Sequence, residues 1–146
     1  MDNSSLDFQL AEFLPYRLAV VAEHLSLGMS RRYRADYDIS IAEWRVLVNV
    51  ADRGAVSVRD IEREVHLEKS KASRAATKLE ARGLVTKETN TDDRRLVVLM
   101  LTDAGRDLMI ELKRIASEYQ TRLETLLAED LAGLNTAIDK LLAEDF

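Results

Sequence analysis

The stretch EKSKASRAATKLEARGLV, residues 68–85, combines small apolar residues with polar and basic residues at helical spacing. On a helix with about 100° between successive residues, four apolar side chains share one face: Ala72, Ala75, Ala76 and Leu79. Polar and basic side chains share the other face: Ser70, Lys71, Ser73, Arg74, Thr77 and Lys78. An alanine-rich face lets a helix lie close to its neighbours, and Gly83 is typical of a helix C-terminus. We interpret residues 68–82 as a DNA recognition helix whose polar face enters a groove lined with hydrogen-bond acceptors.

The distribution of charge along the chain is compatible with this interpretation, although the whole protein is acidic. The 146 residues carry a net charge of -5, and the sequence pI is about 5.1. Residues 69–95 nevertheless contain eight Lys or Arg against four Asp or Glu, a net charge of +4, so the remainder carries -9. Contact with phosphates depends on the local field rather than on the total charge. The basic segment therefore favours double-stranded DNA as a partner.

Composition narrows the class of protein further. A hydrophobic content of 47% argues against disorder, and five Gly with one Pro leave little room for a turn-rich all-β fold. The absence of Cys excludes disulfides, thiolate metal sites and cysteine-based redox sensing. The opening sequence MDNSSLDFQL lacks the features of a signal peptide, and no apolar run approaches the roughly 18 residues of a membrane span. We expect a cytoplasmic protein without a membrane partner, a cofactor or a metal site.

Three helical segments precede the recognition helix. Apolar residues recur at steps of three and four from about Phe13 or Pro15 to Tyr33, which predicts a long first helix. The sequence SIAE at residues 40–43 is a capping box, and it opens a second helix that runs to about Arg53. A third, short helix begins at Ser57.

A hairpin and two further helices follow the recognition helix. The segments 84–88 and 95–101 flank the polar tip TNTDD, and this pattern predicts two strands. Thr102 caps a long helix whose apolar residues recur at steps of three and four, as in a coiled-coil seam. A final helix is expected within residues 130–146.

These elements define a mainly α fold with a small β-hairpin wing, that is, a winged helix-turn-helix with long N- and C-terminal dimerisation helices. We predict one compact domain in three parts: an N-terminal dimerisation helix in 1–36, the DNA-binding region in 37–102 and C-terminal dimerisation helices in 103–146. Within the DNA-binding region the wing occupies about residues 84–101. Apolar faces on the terminal helices predict a homodimer interface that includes Leu18, Leu25, Leu108, Leu112, Ile115, Tyr119 and Leu123.

Three segments of the chain resemble the MarR family of bacterial transcription regulators. They are AEWRVL (42–47), SVRDIEREVHLEKSKASRAATKLEARGLV (57–85) and DDRRLVVLMLTDAGRDL (92–108). The last segment contains the wing pattern of the family, present here as Asp93, Arg95, Leu101, Thr102 and Gly105. The resemblance implies a triangular homodimer in which helices from both termini interlock and two winged lobes bind successive major grooves. It also implies a repressor, of a kind often released from DNA by a small phenolic or other anionic aromatic effector.

Candidate DNA contacts follow from side-chain chemistry and from the resemblance. Arg74 lies centrally on the polar helix face, and its guanidinium can donate two hydrogen bonds to a guanine edge. The resemblance places Arg94 and Arg95 in or along the minor groove, where Asp93 can orient Arg95 through a carboxylate–guanidinium pair. The alternatives are a solvated helix face for the first set and a flexible charged hairpin tip for the second.

The resemblance also implies an effector cleft between the first, second and long fifth helices. Three side chains border this cleft by analogy: His24, Tyr37 and Trp44. The alternatives are a place in the core of the second helix for Trp44 and a polar helix surface for His24.

Catalysis receives no support from the sequence. Two His lie far apart, and the chain has no Cys, no glycine-rich phosphate loop and no Gly-x-Ser-x-Gly motif. We therefore predict a sequence-specific transcription regulator rather than an enzyme, binding an inverted-repeat operator as a homodimer. The competing interpretation is a helical protein–protein adaptor that retains the fold without operator binding.

Overall fold

The computed structural model describes residues 8–64, 67–93 and 96–146. Within these ranges the α-helices are α1 (Leu14–Tyr37), α2 (Ile41–Arg53), α3 (Val58–Glu64), α4 (Lys69–Ala81), α5 (Asp103–Leu127) and α6 (Asp130–Ala143). The strands are β1 (Ala55–Ser57), β2 (Val85–Thr89) and β3 (Val97–Leu101). A mainly helical fold with a small wing is therefore confirmed. No helix in the described ranges is long and apolar enough to cross a membrane.

The starts of two helices are fixed by the capping residues that the sequence predicts. The Ser40 hydroxyl accepts a hydrogen bond from the amide of Glu43 at 3.1 Å, at the start of α2. The Thr102 hydroxyl accepts one from the amide of Gly105 at 3.0 Å, at the start of α5. Each bond satisfies an amide that has no partner within its own helix.

Two elements differ from the sequence prediction. Helix α1 continues past Tyr33 to Tyr37, and Asp38 then ends it in the left-handed conformation with φ 53°. Strand β1 adds to the predicted hairpin, because it pairs antiparallel with β3 and makes a three-stranded sheet in the order β1-β3-β2. A segment of three residues is too short to show the alternating pattern by which a strand is recognised in a sequence.

Helices α2 to α4 and the sheet form a lobe, whose core lies between α2, α4, the sheet and the first half of α5. Helix α4 contributes the predicted apolar face, with no residue more than 4% exposed: Ala72, Ala75, Ala76 and Leu79. Helix α2 contributes three fully buried side chains: Val46, Leu47 and Val50. Because alanine has no side chain beyond Cβ, the backbone of α4 can lie close to α2.

Helix α5 has a buried half and an exposed half. Its buried side chains Met109, Leu112 and Ile115 all lie in the half nearest the wing. Leu112 and Ile115 were expected at the dimer interface, but they are 1% and 0% exposed within this single chain. That expectation is wrong for these two residues, because they have no surface left to offer a second chain. From Tyr119 onward no described residue is buried.

The base of the wing is closed by backbone contacts between the end of α4 and the start of α5. The amide of Thr102 donates to the Leu84 carbonyl at 3.1 Å, and the Thr102 hydroxyl donates to the Gly83 carbonyl at 2.6 Å. Gly105 lies directly against the same Leu84 carbonyl, so that a Cβ at this position would overlap the oxygen. The absence of a side chain at Gly105 is therefore a condition for closing the wing.

Gly105→Ala should lower the free energy of unfolding by about 1–3 kcal/mol, because the added methyl group displaces the Leu84 carbonyl. The matched control is Gly133→Ala in α6, where nothing lies within 4 Å of the added Cβ. The control should stabilise its helix by about 0.5–1 kcal/mol. Urea denaturation at one fixed protein concentration measures both changes. A Gly105→Ala protein as stable as the wild type would contradict the proposed closure.

Candidate nucleic-acid interface

The predicted DNA-contacting residues of the recognition helix share the exposed side of α4. All six are solvent-exposed: Ser70, Lys71, Ser73, Arg74, Thr77 and Lys78. The opposite side of the same helix is buried against the lobe. The structure thus brings the predicted set together on one surface, whereas contact of any one residue with a base stays a prediction.

Arg74 is held along its own helix by Ser70. Its Nε donates to the Ser70 carbonyl at 3.1 Å, and Nη2 donates to the Ser70 hydroxyl at 3.2 Å. A guanidinium has five N–H groups, so these bonds leave others for a guanine edge. Ordering the side chain before binding reduces the entropy lost on complex formation. Ser70 is thereby a positioning residue for Arg74.

Thr77 is joined to the wing. Its hydroxyl donates to the Ser73 carbonyl at 3.0 Å and accepts from Nζ of Lys87 in β2 at 2.8 Å. Because a hydroxyl has a single hydrogen, Thr77 cannot donate to a base while its bond to Ser73 persists. Lys87 was not among the predicted contacts, since a single lysine in a strand has no spacing pattern that distinguishes it.

The tip of the wing is described except for residues 94–95. Oδ1 of Asn90 accepts from the amides of Asp92 at 2.8 Å and Asp93 at 3.3 Å. This is the local turn that Asn side chains favour. The predicted minor-groove contacts Arg94 and Arg95 lie outside the described residues, and their roles stay predictions, as does the pairing of Asp93 with Arg95.

Arg82 connects the end of the recognition helix to α1 and α2. Its guanidinium donates to the carbonyls of Tyr37 and Asp38, both at 2.9 Å, and Nη1 lies 3.6 Å from a carboxylate oxygen of Glu43. The two carbonyls lie at the C-terminus of α1, where unsatisfied acceptors and the helix dipole favour a cation. The Glu43 side chain is only 8% exposed, so Arg82 also supplies its counter-charge. Arg82 therefore ties the orientation of α4 to both helices.

Two neighbouring clefts lie beside α1, one on each side of Tyr119. The Tyr119 hydroxyl donates to the Leu25 carbonyl at 2.9 Å and contacts Gly28, where a Cβ would lie 2.7 Å from it. The inner cleft, between α1, α2 and α5, has a volume of about 190 Å³ and contains Trp44. The outer cleft, between α1 and α5, has a volume of about 470 Å³ and contains His24.

The structure does not bring the three predicted effector residues into one site. Trp44 stacks on Tyr33 in the inner cleft, with ring centroids 5.6 Å apart, and His24 lies in the outer cleft. The Tyr37 hydroxyl instead contacts the carboxylate of Glu111 on α5 at 3.4 Å. Burial raises the pKa of Tyr33 to about 12, so this phenol is neutral at pH 7, and Arg45 supplies positive charge at the inner cleft.

The outer cleft carries cations that the sequence analysis did not anticipate. Its arginines come from both helices: Arg31, Arg32 and Arg122. Arg32 pairs with Glu118 at 2.6 Å. Hydrogen bonds from Arg32 and then Arg114 lower the pKa of the Glu118 carboxyl, which is therefore ionised at neutral pH. Arg122 lies on α5 and the other two arginines lie on α1, and helical periodicity cannot relate residues of two different helices.

Comparison with known proteins gives the family. A MarR family model matches residues 37–96. The crystal structure of the MarR family transcriptional regulator SPO1453 from Silicibacter pomeroyi DSS-3 has 31% sequence identity and a TM-score of 0.74, covering 92% of this chain and 99% of that chain. The chain belongs to the MarR family, whose members are DNA-binding transcription regulators and not enzymes.

Two further proteins are similar over most of the chain. BpsR from Bordetella bronchiseptica, whose DNA binding is regulated by 6-hydroxynicotinic acid, has 20% identity and a TM-score of 0.80, covering 96% of this chain and 100% of that chain. At this identity the likeness shows the fold alone. The transcriptional regulator Hpr from Shouchella clausii (strain KSM-K16) is 26% identical over 124 residues, or 82% of this chain. The chain spans 63% of the length of that relative.

Arg82→Met should lower the free energy of unfolding by about 1–2 kcal/mol, because two α1 carbonyls lose their donor and Glu43 loses its counter-charge. The matched control is Arg63→Met, which removes an exposed arginine of α3 and should change stability by less than about 0.5 kcal/mol. Denaturant titration at equal protein concentrations compares the two. Coincident unfolding curves for the two variants would show that Arg82 does not hold α4 in place.

Proposed function

We propose that the protein is a transcriptional repressor that binds an inverted-repeat operator as a homodimer and is released by a small aromatic effector. The observation that carries the proposal is the single exposed, polar and basic side of α4, whose other side is buried through alanine. A B-DNA major groove about 12 Å wide admits one helix, and its base edges are rich in acceptors. Arginine, lysine and serine side chains on such a helix can donate hydrogen bonds to these acceptors.

Exposed apolar surface supports the dimer. Large apolar side chains on α1 and on the last two helices are exposed in the single chain: Leu14, Leu18, Val21, Leu126, Leu134, Ile138 and Leu142. Large apolar side chains exposed in such number mark interfaces in soluble proteins. The half-buried Leu25, Leu108, Tyr119 and Leu123 remain proposed interface residues beside Leu18. The proposed interface on α5 therefore consists of Tyr119 and Leu123 in its exposed half, together with Leu108 near its start, and excludes the buried Leu112 and Ile115.

We place the effector in the inner cleft beside Trp44. The stacked pair Tyr33 and Trp44 offers aromatic surface, and Arg45 at the same cleft can pair with a carboxylate. BpsR, which shares the fold, is regulated by an aromatic hydroxy acid. An aromatic carboxylate of that size is accordingly the first effector class to test.

The test of operator binding is fluorescence anisotropy with labelled DNA that tiles the region upstream of the protein's own gene. Tight binding to one palindromic tile should decline steeply with salt, because each phosphate contact releases counterions. Half-sites about 10–10.5 base pairs apart are expected for a symmetric dimer. Arg74→Ala should weaken operator binding by about 1–3 kcal/mol and scrambled DNA by less, if Arg74 contacts a base.

An equal loss of affinity for operator and scrambled DNA would show that Arg74 contacts a phosphate and not a base. Arg63→Met again serves as a matched control for the removal of one positive charge from the same lobe. Equal affinity of the wild-type protein for operator and scrambled DNA, with no dependence on salt, would favour the protein–protein adaptor instead.

The effector site can be tested through Trp44, the single tryptophan of the chain. Titration with 6-hydroxynicotinic acid should quench its emission to saturation, because an aromatic ligand stacks beside the indole. The same concentrations should lower operator affinity. Arg45→Met should weaken binding of the ligand, whereas Arg122→Met in the outer cleft should leave that binding unchanged. Quenching without any change in operator affinity would contradict an effector role.

A further inference from the structure

We propose that the cleft between α3, α4 and β2 binds one phosphate of the DNA backbone, with Lys87 as the contact and Thr77 as its positioning residue. The inference rests on the proposed DNA binding and adds a phosphate contact, Lys87, that belongs neither to the six recognition-helix residues nor to the wing tip. Its ligand class is a phosphodiester, which carries one negative charge.

The cleft collects positive charge from three separate elements. It has a volume of about 350 Å³ and is lined by Arg59 of α3, Lys69 of α4 and Lys87 of β2, with Glu62 as the one carboxylate among its described lining residues. None of the ion pairs found within the described ranges involves these three cations. Three cations facing one carboxylate leave an excess of positive charge that a bound anion would neutralise.

The bond between Lys87 and Thr77 sets the position of the ammonium group. A lysine ammonium normally moves on a flexible four-carbon stem. Here Lys87 Nζ donates to the Thr77 hydroxyl at 2.8 Å, and that hydroxyl is itself fixed by its bond to the Ser73 carbonyl at 3.0 Å. An ammonium has three N–H groups, so two remain for phosphate oxygens.

The location of the bond favours DNA over a free anion as the source of the phosphate. Thr77 shares the exposed side of α4 with Arg74, and Ser73 lines the cleft itself. A backbone phosphate seated on Lys87 would therefore lie next to the bases that α4 faces. Phosphate contacts of this kind fix the register of a helix in the groove. Thr77 then contributes to specificity through Lys87 without touching a base.

The experiment measures operator affinity and its salt dependence for Lys87→Met, Thr77→Val, Thr77→Ser and the double variant Lys87→Met/Thr77→Val. Lys113→Met is the control, since Lys113 is an exposed lysine that lines a different cleft. Lys87→Met should lower affinity about fivefold or more and reduce the salt slope by about 0.9, the share of one phosphate. Thr77→Val should lower affinity with most of the slope retained, and Thr77→Ser should match the wild type. Thermal melting verifies that each variant is folded.

The double variant isolates the positioning role. It should bind no more weakly than Lys87→Met alone, because Thr77 acts only through Lys87. Independent, multiplicative losses would overturn the positioning role. Lys87→Met that behaves like Lys113→Met in both affinity and slope would overturn the phosphate site.

A second arm separates a backbone phosphate from a free anion. Operator duplexes carrying one neutral methylphosphonate at successive positions should include one position that weakens the wild type but leaves Lys87→Met unchanged. Absence of any such position would overturn the assignment to DNA. If the wild-type protein prefers no DNA sequence at all, the proposed function is wrong. If the wild-type protein and Lys87→Met bind the operator equally well, only the phosphate site is wrong.

Discussion

The carbonyl of Leu84 is the point at which the recognition helix, the wing and α5 meet. The chain leaves α4 through Gly83, whose φ of 72° turns it toward β2, and the Leu84 carbonyl then accepts the Thr102 amide. Gly105 permits this approach because it brings no side chain against the oxygen. Main-chain contacts therefore hold the wing against the end of the recognition helix.

Helix α4 is restrained by contacts with α2, with the wing and with α1. Alanines bury it against α2, Lys87 of the wing contacts Thr77, and Arg82 binds the C-terminal carbonyls of α1. Helix α1 also lines both clefts beside Tyr119. Helix α1 thus lines both clefts and also contacts the end of α4. A ligand that displaces α1 would therefore shift the two carbonyls that Arg82 binds.

Local signals in the sequence account for much of the fold but little of the long-range geometry. The alanine face of α4 and the caps at Ser40 and Thr102 depend on neighbours within one or two turns, and the structure has them as predicted. Periodicity shows that Leu112 and Ile115 share a face, but it cannot tell whether the same chain or a second chain covers them. Contacts such as Lys87 with Thr77 join different elements, and no spacing rule relates such pairs. Strand β1 was missed because three residues form no pattern.

The division of charge along the chain has a kinetic consequence. Residues 69–95 carry +4 and the remainder carries -9, so the end of the molecule that contains α4 is positive relative to the rest, although residues 84–95 of the wing are neutral in sum. A polyanion approaching that end is attracted, whereas one approaching the acidic helices is repelled. The resulting torque turns the protein during diffusion, and productive encounters become a larger fraction of all collisions. In an acidic regulator of this kind, the charge distribution lowers non-specific binding to nucleic acid and favours encounters in the productive orientation.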